Sequence, residues 1–150
     1  MDYTWHLKHW DELSTAELYE VIALRIRVFI IEQDCPYQDA DGKDMKSYHL
    51  FATDGDGRCV ACLRLVQPGV SYDEWSIGRV ATDLSVRQTG LGKVMMAKAM
   101  SWLKDTHNNP AVRISAQTYL LRFYEGFGFQ RTGKAYMEDN IPHEEMVFGL

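Results

Sequence analysis

The residues whose types and spacing point most directly to chemistry are Arg87, Gly90 and Gly92, which stand between a strand-like run and a helical one. Ser76-Ile77-Gly78-Arg79-Val80-Ala81-Thr82 is predicted to be a strand. Lys93 to Leu103, with Leu91 ahead of it, brings Leu91, Met95, Ala99, Trp102 and Leu103 to one helical face. First-turn amides of a helix have no partner inside the helix and sit at the positive end of its dipole, so they attract an anion. Gly90 and Gly92 remove side chains that would hold a ligand away from those amides. A phosphate or pyrophosphate is therefore expected at Gln88, Thr89, Gly90, Leu91, Gly92 and Lys93, against the plainer alternative of a glycine-rich turn with no ligand.

Two familiar phosphate motifs do not fit. A P-loop needs Gly-Lys followed by Ser or Thr and an earlier Gly, but Val94 follows Lys93 and Arg87 holds the earlier position. A dinucleotide fingerprint needs a small residue where Met95 stands, and an acidic residue ending a second strand about 20 positions on. Other reactive residue types point elsewhere. Cys59-Val60-Ala61-Cys62 lies in a predicted strand, where positions three apart face opposite sides, so both thiols are expected to be packing residues. Cys35, beside Pro36, is expected as a surface thiol in a loop. Asp39-Ala40-Asp41-Gly42 puts its glycine two positions early for a calcium loop and no Glu closes it. His143-Glu144-Glu145 lacks zinc spacing, and no metal is expected.

The elements that must position these residues follow from periodicity. Ser14-Thr15-Ala16-Glu17 reads as a capping box opening a helix, apolar nearly all round, from Leu18 to Ile31. Glu32 to Lys46 is expected to be a solvated acidic loop, with a surface that attracts a cationic amine as the alternative. Ser47 to Thr53 and Arg58 to Val66 form a hairpin about Asp54-Gly55-Asp56-Gly57. After the central strand and helix, which stops at His107-Asn108-Asn109-Pro110, come a strand Val112 to Ala116 and a short helix Tyr119 to Phe127. An antiparallel pair, Phe129 to Glu138 and Glu144 to Phe148, closes the chain about Asp139-Asn140-Ile141-Pro142.

Composition narrows the partners. The 150 residues make one domain, 1–150, and 46% hydrophobic with 25% charged content is that of a globular protein. A net charge of −5 without a Lys/Arg run argues against nucleic acid. No apolar run approaches the roughly 20 residues of a membrane span, and the start lacks signal-peptide character. Three cysteines fit reduced thiols, so a cytoplasmic protein is expected. Tyr3, Trp5 and Trp10 are expected to cover the sheet or to meet a second subunit in a homodimer.

The order of elements, with Arg87-x-x-Gly90-x-Gly92 after a strand, resembles the GCN5-related N-acetyltransferase (GNAT) superfamily over the whole chain. A second segment is similar to that family: Ile114-Ser115-Ala116-Gln117, Leu120, Phe123-Tyr124-Glu125 and Gly126-Phe127-Gly128-Phe129. Arg27-Val28-Phe29-Ile30-Ile31-Glu32-Gln33 with Cys35, Tyr37 and Asp41, and Tyr136 to His143, resemble the ElaA-type branch. The resemblance implies an α/β fold with a mixed, mostly antiparallel sheet, splayed between the glycine-motif strand and the next, and flanked by helices. It implies acetyl-CoA as cosubstrate and a small-molecule or peptide amine as acceptor.

It also implies roles. Val80, Ala81 and Thr82 would bind the pantetheine arm of coenzyme A, with the Val80 amide at the thioester oxygen, and Arg87 to Lys93 its pyrophosphate. Tyr124 would protonate the leaving thiolate, although Leu120, Phe123, Tyr124 and Phe127 are also spaced as a helix's core face. An ammonium near pKa 10.4 must lose a proton before it attacks, and Glu32, His49 and His143 are the candidate bases. Arg79 would bind an acceptor carboxylate. An acyl carrier on Cys59 or Cys62, and a non-catalytic acyl-CoA-binding or interaction module of the same fold, are the alternative functions.

Overall fold

The structure, a computed structural model, describes residues 2–150. Strand β1 (Thr4–His9) precedes helix α1 (Thr15–Arg25), which runs on as a π-helical turn, Ile26–Glu32. Strands β2 (Ser47–Thr53), β3 (Cys59–Val66) and β4 (Ser76–Thr82) lead to helix α2 (Leu91–Thr106). Strand β5 (Val112–Gln117), the short helix α3 (Leu121–Glu125) and strands β6 (Gln130–Glu138) and β7 (Ile141–Phe148) complete the chain. No helix among the described residues is long and apolar enough to cross a membrane.

The strands form two antiparallel sheets, β1-β2-β3-β4 and β5-β7-β6. They meet at one parallel bridge, Trp75 to Val112, where the Arg113 amide donates to the Trp75 carbonyl at 2.9 Å. Beyond that bridge no further β4–β5 pairing occurs among the described residues, and the sheets part. The splay expected between these strands is thus present, and its floor is the Trp75 rung.

Burial explains the layers. All eight residues of β3 are buried, as a central strand covered on both faces must be. Met95, Met96, Ala99 and Leu103 of α2 pack on one face with Leu63, Leu65, Ile77 and Ile114. Val21 and Leu24 of α1, with Val28 beyond it, pack on the other with Phe51, Cys59, Cys62 and Ala81. The α1 start is as expected: the Ser14 hydroxyl accepts from the Glu17 amide at 3.1 Å, and Glu17 accepts from the Ser14 amide at 2.9 Å.

Several expectations need correction. The α1 segment is not buried all round: Tyr19 and Ile31 are 74% and 70% exposed, because one sheet covers only one side of it. Cys59 and Cys62 share a face. The β2–β3 register passes from Ala52↔Ala61 to Thr53↔Cys59, so Val60 is an extra residue and the alternation slips by one. Both thiols are free and buried under α1, and contact with Cys62, then burial, pushes the Cys59 pKa up. Cys35 is buried too, its thiol donating to the Asp139 carbonyl at 3.3 Å. Of the N-terminal aromatics, Trp5 lies in β1, which pairs along β2, and Trp10 lies in the turn after β1. Tyr3 and Trp5 pack on the core, Trp5 under Lys98, as expected of residues that cover the sheet. The last hairpin turns on Asp139-Asn140 alone, with φ of 50° and 63°, so Ile141 and Pro142 join β7. A two-residue turn of this kind needs positive φ at both positions, which Asp and Asn tolerate.

Candidate functional site

The parting of the sheets opens a cleft of about 760 Å³ that runs from the start of α2 to the β6–β7 hairpin. At the α2 end, Gly90 is the N-cap with φ 84° and no side chain caps the helix. The first helical hydrogen bond goes from the Val94 amide to the Gly90 carbonyl at 3.1 Å, so the amides of Leu91, Gly92 and Lys93 precede any partner in the helix. A Cβ on Gly90 would meet nothing within 4 Å, so glycine is required there for its left-handed φ. On Gly92 it would meet Thr82 Cγ2 at 3.8 Å. The first turn of α2 thus has no side-chain cap, and Gly92 lines the cleft.

The next wall is the free edge of β4. Between the pairs Cys62↔Ala81 and Arg64↔Gly78, β4 holds two residues, Arg79 and Val80, opposite Leu63 alone. Arg79 takes φ 51° in this bulge, which bends the strand where Val80 reaches the cleft. Val80, Ala81 and Thr82 of this unladdered edge and Gly92 of the α2 start line the same cleft.

Tyr124 lines the same cleft from α3 while only 6% exposed, its ring against Phe123 and Phe129. Burial, with a smaller contribution from Tyr119, pushes its pKa up, so the phenol keeps its proton at neutral pH. The core spacing and the cleft-facing position are both real.

The candidate bases fall in three different settings. Glu32 ends the π-helical turn and forms a two-pronged ion pair with Arg87, whose Nη2 lies 2.6 Å from Glu32 Oε1. Arg87 also donates to the Thr82 carbonyl, at 2.9 Å from Nη2. His49 is 1% exposed and outside the cleft lining, with Nε2 2.9 Å from the Asp44 carbonyl; burial lowers its pKa against the pull of Asp44. His143 lines the cleft, with Nδ1 2.7 Å from the Ile141 carbonyl. A carbonyl only accepts, so Nδ1 carries hydrogen and the neutral ring presents a lone pair at Nε2.

The acidic loop departs from expectation in part: Asp34 and Asp41 are exposed, but Asp39 and Asp44 are not solvated. Asp39 and Asp44 are buried, and with Asp41 they hold three arginines. Arg25 donates to Asp39 at 2.9 Å and to Asp44 at 2.8 Å; Arg64 donates to Asp44 at 2.9 Å and to Asp41 at 2.6 Å. Arg79 donates to Asp39 at 2.9 Å and to Asp41 at 3.3 Å, and its guanidinium lies over the Tyr37 ring. Burial works against ionised Asp44, yet Arg25 and Arg64 outweigh it and hold its pKa below the usual carboxylate range. The signal was Arg25 in an apolar helical face, because a buried guanidinium must find carboxylates. Arg79, expected to bind an acceptor carboxylate, is thus already engaged by two aspartates.

At the far end of the cleft, strand register gathers residues that spacing alone did not single out. Ser115, Gln117, Tyr136, Glu138 and His143 share one face of β5-β7-β6, as the pairs Gln117↔His143, Tyr136↔His143 and Glu138↔Ile141 require. Ile114, Ala116 and Met146 fill the opposite, core face. Among the described residues, no three His, Cys, Asp or Glu side chains gather to hold a metal.

Residues 17–150 match the family model of the acetyltransferase (GNAT) domain. The chain belongs to the GNAT family. Its relatives include UPF0039 protein sll0451 of Synechocystis sp., 38% identical over 99% of this chain and 96% of that one. Protein ElaA of Escherichia coli is 35% identical over 95% of this chain and 94% of its own. Among solved structures, an acyl-CoA N-acyltransferase from Pseudomonas aeruginosa superposes with TM-score 0.93 at 37% identity, covering 99% of this chain and 100% of that one. E. coli ElaA superposes at 0.90 with 33% identity, covering 98% and 99%. Membership of this family implies an acyl-CoA cosubstrate.

Proposed function

We propose that this protein transfers an acetyl group from acetyl-CoA to a primary amine of a small molecule or peptide, by direct attack and without an acyl-enzyme. The observation that carries this reading is one cleft holding an uncapped α2 N-terminus, a phenol held protonated and an imidazole whose neutral form carries its lone pair at Nε2. Cys59 and Cys62 lie buried under α1, remote in environment from any acyl-carrier role. The three free thiols support a cytoplasmic setting.

Bound acetyl-CoA would supply the thioester carbon. The α2 amides from Leu91 to Lys93 hold the diphosphate, and anions at a helix start gain about 0.3–2 kcal/mol each. The Val80 amide, fixed by the bulge, polarises the thioester oxygen, a contribution of about 2.7–4 kcal/mol to the transition state. His143 Nε2 takes one proton from the substrate ammonium and passes it to solvent, and the freed lone pair attacks the thioester carbon to form the C–N bond. His143 then takes the second nitrogen proton as the tetrahedral adduct collapses. As the C–S bond breaks, Tyr124 donates its proton to sulfur, and transfer through solvent returns the proton from His143 to Tyr124. Glu32 serves to hold Arg87, and His49 to hold the loop at Asp44.

Thermal unfolding with and without acetyl-CoA tests the site. At 100 times the dissociation constant it should add about 2.7 kcal/mol of stability. Thiol release over a panel of primary amines tests the reaction. Stabilisation without release from any amine would favour the non-catalytic alternative, and no stabilisation would remove the acyl-CoA site.

A further inference from the structure

The cleft face of β5-β7-β6 carries a hydrogen-bonded chain that ends at His143. The Tyr136 hydroxyl lies 2.5 Å from the Ser115 hydroxyl, which in turn lies 3.1 Å from Glu138 Oε2. That carboxylate oxygen is 3.4 Å from His143 Nε2. The direction of the chain is set by its last member. An ionised carboxylate only accepts, so Ser115 must donate to Glu138 and therefore accept from Tyr136. The Tyr136 ring also lies parallel to the imidazole, 13° between planes and 6.2 Å between centroids. Nδ1 of His143 donates to the Ile141 carbonyl, and Nε2, a lone pair in the neutral ring, stands beside Glu138 and can donate to it only once it carries hydrogen.

We propose that Glu138 is a positioning residue for His143, held beside Nε2 by the hydroxyl chain Tyr136–Ser115. This rests on the reading of His143 as the group that takes the amine proton. When Nε2 gains that proton, an N–H bond of the ammonium breaks, its electron pair stays on nitrogen as the attacking lone pair, and the imidazolium charge forms beside the carboxylate. Glu138 is half exposed, its side chain at 52%, so left to itself it would spend much of its time turned to water. The Ser115 donor, fixed by Tyr136, keeps it at the ring.

Other groups around the imidazole are accounted for. Asp139 follows Glu138 in the turn and its carbonyl accepts from Cys35. Glu144, next in β7, points to the opposite face and is held by Arg131 at 2.8 Å. Glu145 is held by Arg113 at 3.0 Å, and Gln117 faces Gln33 at 3.4 Å. Tyr72 stands behind Tyr136, its pKa pushed up by burial and then by the Tyr136 phenol. Glu138 is the one carboxylate of this face set within 4 Å of a His143 ring nitrogen.

The test is imidazole nitrogen NMR of the full chain, without ligand, across a pH titration. Neutral His143 should carry its hydrogen on Nδ1. Glu138→Gln should move the His143 titration to lower pH by about 0.5–1 pH unit, and Glu138→Asp should restore part of the shift. Tyr136→Phe and Ser115→Ala should move it in the same direction by less, and should add nothing in the Glu138→Gln background. An unmoved titration in Glu138→Gln, hydrogen on Nε2 in the neutral ring, or full additivity would each overturn the proposal. Stabilisation by acetyl-CoA, measured on the same wild-type sample, reports separately on the acetyltransferase reading. Its absence would sink that reading whatever the histidine does.

Discussion

Tyr124 is where two readings of one residue turn out to be compatible. Its spacing with Leu120, Phe123 and Phe127 marks a core face, and it is buried; it nevertheless lines the cleft. Tyr124→Phe keeps the ring packing and removes only the proton donor. Turnover should fall by about 10²-fold or more in the thiol-release assay, with acetyl-CoA affinity by calorimetry unchanged. Equal turnover in the variant would take Tyr124 out of the mechanism. The cysteines teach the opposite lesson. Strict alternation puts Cys59 and Cys62 on opposite faces, but one extra residue, Val60, brings them together. A bulge leaves no mark in hydrophobic pattern, so residue-level facing is legible only as far as the ladder is regular.

Among elements, the strand, glycine turn and α2 were the most legible, because φ 84° at Gly90 and the apolar face of α2 both leave local signatures. Gly90→Ala should cost about 1–2 kcal/mol through forced left-handed geometry, seen as a lower unfolding midpoint. It should also weaken acetyl-CoA binding by tilting the Leu91 to Lys93 amides; an unaffected affinity would place the diphosphate elsewhere. The loop after α1 was the least legible element. Asp39, Asp41 and Asp44 look like solvated charge until their partners are known, and those partners, Arg25, Arg64 and Arg79, come from three other segments. β1 was missed for a related reason: its alternation is hidden by histidines and lysine that are only half buried.

At the scale of the molecule, this ion network ties α1 to β3 and β4, and it makes stability depend on pH. His49 has a pKa lowered from its ordinary 6.5, so its contribution is present above about pH 6.5 and lost as pH falls through its folded value. Asp44 is lowered from 3.8, so its contribution is present above that value and lost at still lower pH. Both slopes have the same sign, and urea unfolding should show stability falling from pH 7 toward pH 4. His49→Asn should flatten the upper part of that fall; an unchanged profile would clear His49 of the effect. Arg25→Ala, which leaves buried Asp39 to Arg79 alone and buried Asp44 to Arg64 alone, should cost about 3–5 kcal/mol. From α1 onward the order of elements was readable in advance, since each has its own period or turn, and the splayed sheet was implied by the family resemblance. The register within the second sheet was not, and with it went the meeting of Ser115, Tyr136, Glu138 and His143.

The solitary rung between Trp75 and Val112 has one more implication. Everything beyond it is a missing stretch of ladder, and a guest with amide groups of its own could lie there as a temporary strand, zipping the two halves of the protein together. Since that guest is also the reagent consumed, each catalytic cycle would close the seam on arrival and unpick it on departure.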